Sequence, residues 1–112
     1  MGFEQIRDYV LALPEVTEEP HFSLTSFRIR GKIFATAPPD QKSFNIFADD
    51  MDQERVLAID PMSFEKLWWG AKVIGLKAHI ARVDPALILE LLKLSWLRKA
   101  PNRLKKIHAH II

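Results

Sequence analysis

Phe27-Arg28-Ile29-Arg30-Gly31-Lys32-Ile33-Phe34-Ala35 is the stretch on which the reading of the fold turns. Phe27 and Ile29 alternate with Arg28 and Arg30, the period-two pattern of a strand with one apolar and one polar face. Gly31 then interrupts, and a glycine can supply the positive φ that a two-residue hairpin turn requires. Beyond it Ile33, Ala35 and Ala37 alternate with Lys32, Phe34 and Thr36. The stretch is therefore a β-hairpin with Arg30, Gly31 and Lys32 at its tip. Phe27 and Ile29 are predicted to face a core and Arg28 and Arg30 solvent, because a slip of one residue would exchange the two sets.

Upstream of the hairpin, Glu15 to Phe22 shows neither period and contains Pro20, which reads as a connecting loop. Before that, Phe3, Ile6, Val10 and Leu13 recur at helical spacing until Pro14 ends the helix. Downstream, Pro38-Pro39-Asp40 imposes a loop before a third strand, Ser43 to Phe47. Asp50 with Gln53 three residues later resembles a capping box, so a second helix is expected over 51–60, stopped by Pro61. A short helical turn is expected from Ser63 to Trp68, and Lys72 to Leu76 with Lys77 to Val83 read as a second hairpin around Gly75. From Pro85 the apolar residues, Trp96 among them, cover most of a helix circumference, which predicts a deeply packed helix running to Pro101. A short basic helix is expected to follow, starting at Pro101 or Asn102. The order is α-β-β-β-α-β-β-α plus a terminal turn. Its fold class is α+β, with helices packed on one antiparallel sheet.

A chain of 112 residues that is 48% apolar can bury one core, and one domain, 1–112, is expected to fold alone. The absence of cysteine excludes disulfides, thiolate catalysis and cysteine-ligated zinc. The segment Met1-Gly2-Phe3-Glu4-Gln5 has no basic region followed by a long apolar run, and a cytoplasmic location is expected. Pro85 to Leu97, interrupted by Glu90 and Lys93, is too short and too charged to cross a bilayer.

A formal charge of +2 is too small to identify a partner, but its distribution is uneven. No acid follows Glu90, whereas Arg98, Lys99, Arg103, Lys105 and Lys106 do. With Arg28, Arg30 and Lys32 of the hairpin, these are the candidate contacts to nucleic-acid phosphates. Cations at a helix C-terminus also complement its dipole with no partner present. Trp96 belongs to the core, while the adjacent Trp68 and Trp69 are expected to point differently, one of them exposed and available for base stacking. Asp50, Asp52 and Glu54 open like a calcium loop, but Arg55 and Pro61 stand where glycine and glutamate are required. His21, His79, His108 and His110 lack metal-ligand spacing, and neither a nucleophile elbow nor a phosphate loop occurs. No enzyme activity, metal or cofactor is expected.

Over nearly its whole length the chain resembles the MmcQ/YjbR family. The likeness rests on Leu13-Pro14, Phe27 through Ala35, Asp60-Pro61 with Phe64, and above all Ser95-Trp96-Leu97-Arg98-Lys99-Ala100-Pro101-Asn102-Arg103-Leu104. The resemblance implies an α-β(3)-α-β(2)-α arrangement and DNA binding through a double wing of two hairpins, and it brings no catalytic residues. The Trp68-Trp69-Gly70 stretch and the His108-Ala109-His110 tail depart from many relatives. The alternative is a module of secretion-chaperone-like fold that binds a protein or peptide through a sheet face or strand edge.

Overall fold

The computed structural model describes residues 1–109, with side chains through Lys106. The elements are α1 (Phe3–Ala12), β1 (Val16–His21), β2 (Leu24–Ile29), β3 (Lys32–Ala37), β4 (Ser43–Phe47), α2 (Asp50–Ile59), β5 (Phe64–Trp69), β6 (Lys72–His79), α3 (Pro85–Lys99) and α4 (Asn102–Ala109). The strands form one fully antiparallel sheet in the order β1-β2-β3-β4-β6-β5. The α+β class expected from the sequence is the observed one.

The decisive hairpin is β2–β3. Phe27 and Ile29 are fully buried, and Ile29 pairs with Lys32 across a turn in which Arg30 (φ 54°) and Gly31 (φ 78°) are both left-handed. That is the two-residue geometry whose twist matches the flanking strands. The alternation breaks once. Phe27 pairs with Ala35 and Arg28 with Ile33, so Phe34 is an extra residue in a bulge and turns into the core rather than outward. Its carbonyl accepts a hydrogen bond from Ser95 Oγ of α3 at 2.7 Å.

The helices cover one face. α3 begins at Pro85, with Asp84 Oδ1 accepting from the Ala86 N–H at 3.0 Å, and buries Leu87, Ile88, Leu91, Leu92, Ser95 and Trp96. α1 packs beside it through Ile6 and Val10, and Arg55 of α2 reaches Glu90 of α3 at 2.6 Å. The core rows run across the strands, Phe44 with Ala78 and Phe64, and Ile46 with Leu76. On the opposite face the register lines up a polar row, Glu19, Ser26, Thr36, Asn45, Lys77 and Glu65, one residue from each strand. A face carrying that row has little to gain from burial under a helix.

Four expectations are corrected. Glu15–Phe22 is no loop: most of it is strand β1, which brings four strands before α2 where the resemblance implied three. As an edge strand β1 pairs on one side only, which relaxes the need for alternation, and it tolerates Pro20. Ser63–Trp68 is not a helical turn, since Phe64–Trp69 is edge strand β5. Phe64, Leu67 and Trp68 match helical spacing, but Trp68 and Trp69 are exposed, so the pattern never reported a buried helical face. The second hairpin is β5–β6, turning at Gly70 (φ 61°) and Ala71, and β6 passes straight through Gly75. Finally, the cap of α2 is Asp49 rather than Asp50. Its Oδ1 accepts from the Asp52 N–H at 2.9 Å, while Gln53 is buried and donates through Nε2 to the Ala48 carbonyl at 2.8 Å.

Candidate functional site

Because every neighbouring pair of strands is antiparallel, one end of the sheet collects the start of β1, the β2–β3 turn, the end of β4, the N-terminus of α2 and the β5–β6 turn. Side chains from α3 and α4 join that end at two places.

The first is organised by Glu15. One carboxylate oxygen accepts from Arg30 Nε at 2.7 Å and the other from Arg103 of α4 at 3.1 Å. This single acid ties the hairpin tip to the C-terminal helix, its partner Arg103 lying 88 residues from it in sequence. The hydrogen bond from Arg30, reinforced by the charges of both guanidiniums, holds the Glu15 carboxyl below the ordinary carboxylate range. A lowered folded-state value means that the contribution to stability is present above the unfolded carboxylate pKa and is lost as pH falls through the folded value. Glu15→Gln should therefore lower the melting temperature at pH 7, and the difference should shrink as the pH falls through the folded-state value. Thermal melts of both proteins from pH 7 to pH 2 check this. A constant offset between the curves over that range would mean that ionisation of Glu15 contributes nothing to folding.

The second place is a cleft of about 440 Å3 lined by Phe47, Asp49, Asp50, Gln53, Lys72, Arg98 and Lys99, among others. Lys99 Nζ lies 5.9 Å from the centre of the Phe47 ring. Neither Lys72, Arg98 nor Lys99 forms an ion pair with a carboxylate among the described residues. The sheet end thus gathers Arg30, Lys32, Lys72, Arg98, Lys99 and Arg103 against Glu15, Asp49 and Asp50.

Arg28 stands apart from these. It is half-buried on the helix-free face and turned back along its strand, donating through Nε to Ser26 Oγ at 2.9 Å and through a terminal nitrogen to the Pro20 carbonyl at 3.4 Å. Lys105 is half-buried and Lys106 exposed on α4. The side chain of His108, and His110 altogether, lie outside the described residues, among which no cluster of metal-ligating groups occurs. Lys72 and Glu15 were not singled out by the sequence. Glu15 stands in a run with Glu18 and Glu19 and Lys72 follows a turn, and each acquires its neighbours of opposite or like charge only through the tertiary fold.

The helix-free face carries a shallow groove lined by His21, Leu24, Thr36, Asn45, Phe47, Leu67, Trp68, Trp69 and Ile74. Its wall reaches from edge strand β1 to edge strand β5, so the face is concave. Trp68 is 58% and Trp69 75% exposed. At the rim, His79 Nε2 and Glu65 Oε2 are 2.9 Å apart, and that hydrogen bond draws the Glu65 carboxyl downward. No described helix is long and apolar enough to cross a membrane.

A search of curated proteins finds no match. Among solved structures the chain is similar to the Deinococcus radiodurans protein DR2400, which carries a DUF419 domain. The TM-score is 0.73 at 20% identity, over 87% of this chain and 77% of that one. At that identity the likeness speaks for the fold alone. The model of the YjbR family matches residues 11–98, well over half of the chain. With the sheet and its helices in agreement, the chain belongs to the YjbR family.

Proposed function

We propose that this domain is a binding module rather than an enzyme, and that it holds nucleic acid by the backbone, in the cytoplasm, with little sequence preference. The observation that carries the reading is the convergence at one sheet end of two hairpin turns and the C-terminal helices, with six cations facing three carboxylates. Arg30 and Lys32 come from one turn and Lys72 from the other. Arg98 and Lys99 lie at the end of α3, and Arg103 on α4. Phosphate contacts need cations spaced over a surface and available to leave water, and four of the six carry no ion pair among the described residues.

The test is fluorescence anisotropy with labelled random-sequence DNA across a salt series. Engagement of about three phosphates gives a log–log slope near −2.7 on duplex DNA. A variant with Lys32, Lys72, Arg98 and Lys99 replaced by Gln should lose most of that slope, and exposed charges contribute so little to stability that it should still fold. Absence of binding at low salt would reject the reading. It would then favour a protein- or peptide-interaction module, for which the exposure of Met51, Ile59 and Met62 around α2 is the supporting observation.

A further inference from the structure

The cationic cleft and the groove on the helix-free face adjoin. Phe47 and Ile74 line both, which sets Lys72, Arg98 and Lys99 beside a trough bordered by Trp68 and Trp69. We infer that this trough takes a single strand of nucleic acid, its phosphates at the cations and its unstacked bases on the tryptophans. The inference rests on the proposed phosphate-binding reading and adds to it the form of the nucleic acid.

Three features of the trough argue for this occupant. Two indoles, 58% and 75% exposed, come from successive residues of edge strand β5 and both border the groove, where a surface in water gains nothing by displaying them. Flat aromatic faces accept any base, which suits binding without sequence preference. Thr36 and Asn45 bring hydrogen-bonding groups to the same groove, with Asn45 Nδ2 donating to Thr36 Oγ1 at 3.1 Å. Base edges can use such groups, whereas an apolar protein face would strand them. Cations also gather at one end, Lys72, Arg98 and Lys99, while farther along the strands the face carries Lys77 opposite Glu65, which is itself engaged with His79. In a duplex the bases are stacked on each other and paired, so the tryptophans would have nothing to receive.

The probes are a random-sequence single strand, a duplex of equal length, and an abasic strand that keeps the phosphates and lacks the bases. Single strand should bind at least about tenfold tighter than either of the others, and should quench emission from the exposed indoles while buried Trp96 reports that the fold is intact. Replacing Trp68 and Trp69 together by Ala should lower single-strand affinity about 10- to 100-fold and leave duplex affinity unchanged, and Phe at both positions should restore much of it. Asp50→Asn, which removes a like charge beside the phosphate end, should tighten binding. Equal affinity for all three probes, insensitive to the Trp substitutions but sensitive to the cations, would overturn this inference and leave backbone binding standing. Binding of none of them would remove both, and concentration-dependent self-association lost on Trp substitution would assign the trough to a second copy of the chain.

Discussion

Gly75→Ala should abolish or nearly abolish folding. A Cβ built on Gly75 lies 2.0 Å from the Ile46 carbonyl oxygen and 2.9 Å from both Ile46 C and Phe47 Cα. All three obstacles are backbone, and they belong to β4, the strand to which β6 is hydrogen-bonded at that point. A flexible side chain could swing aside, but here two hydrogen-bonded strands inside the sheet would have to part, beside the bulge at Leu67 and Trp68. Overpacking that displaces backbone costs at the upper end of point-mutant effects, about 4 kcal/mol or more, a large part of the stability of any domain of this size. Urea denaturation and a one-dimensional proton spectrum would show it. A well-dispersed spectrum with an unshifted midpoint would mean that the close approach of β4 and β6 is relieved without loss.

Trp96→Ala should destabilise by about 3–5 kcal/mol, a fall in melting temperature on the order of 15 °C. Its side chain is the largest of those fully buried, and its indole N–H donates to the Pro14 carbonyl at 3.1 Å. The ring therefore fills the core under α3 and also fixes the chain between α1 and β1, next to the Glu15 cluster. Trp96→Phe keeps most of the volume and gives up the hydrogen bond, so it should cost distinctly less than the alanine change. Equal losses for the two would place the value of Trp96 in its N–H rather than its packing. An unchanged melting temperature for the alanine variant would contradict the burial itself.

These two positions mark where sequence reading succeeds and where it stops. Trp96 was legible because it sits on an apolar arc too wide for a surface helix, and periodicity within one segment is enough to see that. Gly75 was misread because a glycine between two apolar runs looks the same whether it turns the chain or lets another strand pass close by. Only the identity of the neighbouring strand separates the two cases. Edge strands β1 and β5 were missed for a related reason. A strand that pairs on one side and lies at the rim buries little, so its sequence is released from the alternation by which strands are recognised.

The candidate site divides the same way. The sequence by itself determined the α+β class, the β2–β3 hairpin with Arg30, Gly31 and Lys32 at its tip, the capped helix from Pro85, the burial of Trp96, and a C-terminal stretch without acids. Each of these is a property of contiguous residues. The tertiary structure alone decided that Arg30 and Arg103 share Glu15, that Lys72 joins Arg98 and Lys99 in one cleft, and that Arg28 faces the other way. The physical reason is that charge–charge proximity depends on strand order and register, and those are set by the burial of Phe27, Phe44, Ile46 and Leu76 in the core, not by the charged residues themselves.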